Sequence, residues 1–152
     1  MKIVISERFS DIEFIHDSLY AYNCTKSGSE HCDGICASVF PEQFAICLLD
    51  DNDNLCGGAA YHWLNEPRHV FVDYFFLEEC VRNGGWGRKI FDVLTDTVKN
   101  AGAELIELTT NTFQAPWFYE KLGFEVVKTE KSPTVNDPDN LHFLFRKKIL
   151  TE

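Results

Sequence analysis

Long apolar stretches are missing from this sequence: the longest uninterrupted one, Phe44 to Leu49, is far too short to cross a bilayer. Basic residues are scarce as well. Lys and Arg number 14 against 24 Asp and Glu, a formal charge of −10, and the basic clusters are confined to Arg82/Arg88/Lys89 and Arg146/Lys147/Lys148. A nucleic-acid partner requires a basic stripe to neutralise phosphates, so none is expected. The acidic balance suits a cationic or amine-bearing partner instead. The opening residues, Met1 to Arg8, meet charge too early to be a signal-peptide core, so a soluble, cytoplasmic chain is expected. In that setting the six cysteines read as reduced thiols rather than a disulfide framework. Cys47 and Cys56 lie in strand-like runs and read as small core hydrophobes. His31, Cys32 and Cys36 with Cys24 are the only group resembling metal ligands. Their spacing fits no common zinc pattern, and no metal is expected.

There are also no repeats, biased tracts or linkers able to divide the chain. With 152 residues, 45% of them hydrophobic and 25% charged, residues 1–152 form one domain large enough for a full core. Lys2–Ser6 reads as a first strand. Ser10-Asp11-Ile12-Glu13 has the form of a capping box, after which Ile12, Ile15, Leu19 and Tyr22 recur at helical spacing. Cys24–Pro41 reads as irregular or as a short helix. Gln43–Asp50 and Leu55–Trp63 flank the polar turn Asp51-Asn52-Asp53-Asn54 and form a hairpin, with Gly57-Gly58 marking a bulge or a close backbone approach. His69–Leu77 is a strong strand. Arg88–Asn100 is an amphipathic helix with Ile90, Phe91, Leu94 and Val98 on one face, closed by Gly102. Glu104–Thr110 is a strand, Ala115–Leu122 a short helix ending at Gly123, and Phe124–Val127 and Leu141–Ile149 are the last strands. The strand–helix–strand passage from His69 to Thr110 implies at least one parallel pair in a mixed sheet, and an α/β or α+β fold.

The most informative segment runs from Phe75 to Lys89. A buried strand leads into Gly84-Gly85-Trp86-Gly87, which open an amphipathic helix. Glycines permit close backbone approach, and the successive amides of the turn and helix N-terminus form an anion nest beside Arg82, Arg88 and Lys89. These are the requirements for holding a pyrophosphate. The Walker ending Gly-Lys-Ser/Thr is absent, and Gly85-Trp86-Gly87 lacks the third glycine of the dinucleotide fingerprint. Taken alone, the glycines could equally form a turn that only caps the helix.

Arg-x-x-Gly-x-Gly, here Arg82 to Gly87, is similar to the acyl-CoA pyrophosphate motif of the GNAT N-acyltransferase superfamily. Gln114-Ala115-Pro116-Trp117-Phe118-Tyr119-Glu120-Lys121-Leu122-Gly123-Phe124 resembles that family's downstream Ala-x-x-Phe-Tyr-x-Lys-x-Gly-Phe segment. The Gln-Ala-Pro variant looks like a branch of small, stand-alone bacterial acetyltransferases. Two motifs in register, joined by the expected helix and strand, make the resemblance specific. It covers nearly the whole chain, with Cys24–Pro41 and Lys128–Asn140 the most divergent parts. Trp86 departs from the family's small aliphatic residue, and Asn83 and Gly84 replace more frequent Gly and basic residues. The fold implied is a single domain with a central mixed, mostly antiparallel twisted sheet of six to seven strands, flanked by three to four helices.

The resemblance implies transfer of an acetyl group from acetyl-CoA to a primary amine of a small, cationic molecule. A protein amine is the rival acceptor, and a homodimer is an assembly such families favour. A non-catalytic acyl-CoA-binding or sensor module is the alternative from another class. By the resemblance, Phe75, Phe76 and Leu77 border a gap filled by pantetheine, the Leu77 amide polarises the thioester carbonyl, and Val81 through Arg88 wrap the pyrophosphate. Gln114 and Tyr119 join the CoA-contacting set, Tyr119 near the thioester sulfur.

The chemistry explains those needs. The attacking amine must lose a proton, the oxyanion needs a fixed donor, and the thiolate leaves better when a phenol protonates it. No cysteine nucleophile is required. Tyr119 could instead pack the helix on the sheet, with Phe118 as the core anchor. Asp73, Glu78, Glu79, His31 and His62 are the acid–base candidates. Strand alternation would place Asp73 on one face with Phe71 and Phe75, opposite Val72 and Tyr74. Trp63, Trp86 and Trp117 read either as core or as lining of the acceptor pocket.

Overall fold

The computed structural model describes residues 1–28, 42–64 and 68–149. His31, Cys32, Cys36 and the remainder of 29–41 lie outside the described residues. The elements are β1 (Lys2–Ser6), α1 (Phe9–Ser27), β2 (Gln43–Leu49), β3 (Leu55–Trp63), β4 (His69–Leu77), α2 (Trp86–Asn100), β5 (Leu105–Asn111), α3 (Trp117–Lys121), β6 (Glu125–Lys131) and β7 (Leu141–Lys148). Short 3₁₀ turns at Glu79–Val81 and Thr112–Gln114 precede α2 and α3.

The strands form one sheet in the order β1-β2-β3-β4-β5-β7-β6. Every neighbouring pair is antiparallel except β4 and β5, which are parallel. Two parallel strands cannot be joined by a tight turn, and α2 makes the crossover. Its apolar stripe, Ile90, Phe91, Leu94 and Val98, is buried as the spacing predicts, against Ile46, Val70, Val72, Ile106 and Phe145 of the sheet. Beyond its last turn the Gly102 amide bonds the Lys99 carbonyl at 3.0 Å and Ala103 that of Val98 at 2.8 Å, closing the helix over Gly102. On the opposite face α1 seals a smaller core of Ile12, Ile15, Ala45, Cys47, Ala60 and Tyr74.

The start of α1 differs from the capping-box reading. The helix begins at Phe9 with Arg8 as its N-cap and no side-chain cap. Ser6, at the end of β1, does the anchoring: its hydroxyl donates to Asp11 Oδ2 at 2.6 Å and accepts the Arg8 amide at 3.1 Å. The strand end is thereby tied to the first turn, which draws the helix start ahead of Ser10. At the other end α1 runs on through Cys24–Ser27, the first residues of the stretch that reads as irregular or as a short helix, and Gly28 closes it at φ 77°.

Two bulges shape the centre of the sheet. One adds Cys56 between Leu55, paired with Leu49, and Gly57, paired with Leu48. A Cβ on Gly57 would stand 2.2 Å from the Phe76 carbonyl oxygen, so this strand crossing admits only glycine, as the Gly57-Gly58 reading anticipates. The second lies in β4: Ala60 pairs with Tyr74 and Tyr61 with Val72, leaving Asp73 as the extra residue. An extra residue turns the strand over. Val72 and Phe75 therefore face α2 while Tyr74 and Phe76 face α1, which corrects the simple alternation that set Val72 and Tyr74 together.

Candidate active site

The parallel pairing of β4 with β5 stops at Val72↔Leu108. Beyond that point β4 remains bound to β3 as far as Leu77↔Gly57, and β5 to β7 as far as Asn111↔His142. Each strand follows its outer neighbour, so the sheet opens into a fork. The Glu78 amide bonds the Cys56 carbonyl on the β3 side at 2.9 Å. Because backbone groups alternate along a strand, the Leu77 and Phe75 amides point to the other side, into the fork.

A cavity of about 450 Å³ occupies this opening and passes through the sheet. Leu19, Tyr22 and Phe76 line it on the α1 side, Phe75, Phe118 and Tyr119 on the α2 side. At its open end lie Arg82, Asn83, Gly85, Gly87 and Arg88. Gly85 is the N-cap of α2 at φ 81°, a left-handed conformation that side chains disfavour, and Asn83 adopts a similar one at φ 66°. The first intrahelical bond is made by the Lys89 amide to the Gly85 carbonyl. The preceding amides of the first turn are therefore free of helix partners, as helix geometry requires, and present an anion nest.

Two arginines hold this loop in shape. Arg82 Nε donates to the Leu77 carbonyl at 2.8 Å, and its guanidinium lies over Tyr22 and Phe76 at 5.3 and 5.5 Å. Arg88 reaches the Lys121 carbonyl at the end of α3, at 3.1 Å. Three other residues of the segment stand apart from the cavity. Val81 and Trp86 pack against the larger core, and Gly84 is exposed.

Tyr119 is buried, its ring enclosed by Phe75, Phe91, Phe118, Phe124 and Phe145. Burial pushes its phenol above the ordinary tyrosine range, which keeps the proton on the oxygen. Phe118, read as the core anchor, is the less buried of the two and stacks on Phe75 at the cavity wall. Trp117 is 60% exposed beside it, whereas Trp63 and Trp86 pack on the core.

Gln114 lines the cavity with its amide already engaged. Its Oε1 accepts from the Asn111 amide at 3.0 Å and from Asn111 Nδ2 at 2.9 Å, and its Nε2 donates to Asn23 Oδ1 at 2.8 Å. Asn140, fully buried, continues the network by donating to Asn111 Oδ1 and the Ser132 carbonyl and accepting the Thr112 amide. Sequence reasoning passed over Asn23, Asn111 and Asn140. They are isolated polar residues far apart in the chain, and no spacing marks them.

Asp73 does not border the cavity. Its side chain is 3% exposed, and its Oδ2 lies 2.8 Å from His62 Nδ1 and accepts Gln43 Nε2 at 3.1 Å. Burial raises its carboxyl pKa, opposed by these two hydrogen bonds and the imidazole charge. Glu78 and Glu79 line a separate shallow cleft against Ser18, Tyr22 and Thr25 of α1. Among the described residues no three His, Cys, Asp or Glu side chains converge as a metal site.

A forked sheet with a glycine-capped helix at its open end calls for comparison with known proteins. The family model described as an acetyltransferase (GNAT) domain matches residues 42–126, more than half of the chain, and the chain belongs to this family. Solved structures agree on the fold. A GNAT-family acetyltransferase from Staphylococcus aureus Mu50 superposes with a TM-score of 0.72 at 18% identity, covering 98% of this chain and 100% of that one. An aminoglycoside 6'-N-acetyltransferase complexed with coenzyme A gives 0.68 at 22% identity, covering 98% of each chain. The aminoglycoside 6'-N-acetyltransferase from Enterococcus faecium gives 0.67 at 20%, again covering 98% of each. No curated protein matches the sequence.

Proposed function

We propose that this protein transfers an acetyl group from acetyl-CoA to the primary amine of a small, cationic molecule. The observation that carries the reading is the continuity of one cavity from the nest at Gly85 to the unpaired edge of β4. An extended pantetheine arm needs a row of backbone groups to pair with, and a pyrophosphate needs converging amides; the cavity offers both. The fold-level neighbour solved with coenzyme A supports the same assignment.

In this mechanism the Leu77 amide donates to the thioester oxygen as it becomes an oxyanion. The amine nitrogen, having shed its ammonium proton to solvent, bonds to the carbonyl carbon and loses a second proton to water; the carbon–sulfur bond breaks with its electron pair going to sulfur, and the Tyr119 hydroxyl supplies the proton that sulfur takes up and regains one from solvent. The elevated phenol pKa keeps the hydroxyl protonated and rules it out as the base that deprotonates the amine. The formal charge of −10 favours a cationic acceptor.

Isothermal titration with acetyl-CoA and a thiol-release assay over primary amines test the reading. Micromolar binding with amine-dependent thiol release is expected. Absence of binding overturns the assignment, and binding without release to any amine or N-terminal peptide marks an acyl-CoA sensor instead.

A further inference from the structure

Two tryptophans flank the nest at Gly85, and their surroundings differ. Trp86 packs on the larger core, and the Lys89 ammonium lies 4.3 Å from its ring centre, so this indole is already engaged. Trp117 lines the cavity yet stays 60% exposed, and among the described residues no ring or cation stacks on it. An indole left in water forfeits the gain of burial, which a flat ring laid on it would recover. Trp117 falls on an open position of the Ala-x-x-Phe-Tyr segment, so the family motif assigns it no role. The fold sets it on the same face as the nest. α3 packs directly on the start of α2: Phe118 stacks on Phe75, and a Cβ on Gly87 would stand 2.9 Å from the Phe118 ring. Lys121, four residues on, shares the Trp117 side of α3 and also lines the cavity. Arg88, from the first turn of α2, donates to the Lys121 carbonyl at 3.1 Å, which brings its guanidinium to the end of α3. Neither cation pairs with an acid among the described residues.

What this rim can hold rests on the acetyl-CoA reading and deepens it. A diphosphate in the nest carries two substituents. The pantetheine arm runs into the fork, so the adenosine end turns outward over the rim where α3 meets α2. We propose that the adenine of the donor stacks on Trp117 and that its 3'-phosphate is held by Lys121 and Arg88. The chemistry matches on both counts. A purine offers its π-face to an indole, and a phosphate suits an ammonium beside a guanidinium. The consequence is a choice of donor. Free acyl-CoA is favoured over an acyl group carried on protein-bound phosphopantetheine, which has no adenosine to lay on the indole.

The test titrates CoA, 3'-dephospho-CoA and 4'-phosphopantetheine into the parent, Trp117→Ala and Lys121→Gln. Trp117→Ala should lower CoA affinity about 10-fold, within the range of base–aromatic stacking, and cut the preference for CoA over 4'-phosphopantetheine by the same factor. Lys121→Gln should cut the preference for CoA over 3'-dephospho-CoA about 3-fold, as for an exposed ion pair. Adenosine 3',5'-bisphosphate should quench the indole fluorescence of the parent, and Trp117→Phe should remove that quench. A preference for CoA over 4'-phosphopantetheine that survives Trp117→Ala, with the parent binding acetyl-CoA, overturns this proposal alone. So does a Trp117→Ala variant whose sole change is a higher KM for the amine in the thiol-release assay, since the indole then faces the acceptor. A parent that does not bind acetyl-CoA overturns the acetyl-transfer reading and this one with it.

Discussion

At the scale of single residues, burial sorts groups that look alike in the sequence. Cys47 is buried, and desolvation pushes its thiol up to about 12, while Cys80 is exposed. A thiol reagent at pH 8 should therefore modify Cys80 first among the described cysteines and leave Cys47 intact in the folded protein, as peptide mass mapping would show. Tyr119→Phe keeps the ring in its aromatic cage and removes the hydroxyl. Thiol release should fall about 100-fold or more with acetyl-CoA affinity retained, and full activity would exclude the phenol as donor.

Asp73 makes a prediction about stability. Its carboxyl pKa is raised in the folded chain by burial first, so the folded state holds that proton more tightly than the unfolded one. The stability it contributes is complete below the ordinary carboxylate range and is lost as pH climbs through the raised native value. Asp73→Asn should gain on the parent in thermal midpoint over that climb, and a constant difference across pH would refute the coupling.

Among the elements, α2 was the most legible, because its buried face meets a single partner surface and the 3.6-residue period survives unaltered. Its N-terminus is where function and strain coincide. Gly85→Ala has open space for the new methyl group, with nothing within 4 Å, so its cost is the left-handed backbone alone. That is about 1 kcal/mol, or a thermal midpoint lower by roughly 2–4 °C, together with weaker acetyl-CoA binding in titration. Leu94→Ala, in the middle of the buried stripe, should cost about 2–5 kcal/mol in urea unfolding. The start of α1 was misread for the opposite reason. A capping box is a local pattern, and the contact that won, Ser6 to Asp11, ties the helix to the preceding strand.

For the molecule as a whole, the excess of acidic groups should act on association. The kcat/KM for a cationic acceptor should fall steadily as salt is raised from low to physiological ionic strength, and that for a neutral amine should not. Equal salt dependence for the two would remove electrostatic steering as the basis of acceptor preference.

What the sequence determined on its own are features written in neighbouring residues: the strand and helix periods, the glycine loop from Arg82 to Gly87, and the Gln114–Phe124 segment that identified the family. The tertiary structure alone decided which side chains meet. An extra residue in β4 put Asp73 on the face of His62 and Gln43, and parallel pairing that stops at Val72 opened the fork. Both depend on register between strands distant in the chain, and register is settled by the packing of two sheet faces against two helices, which no local spacing records.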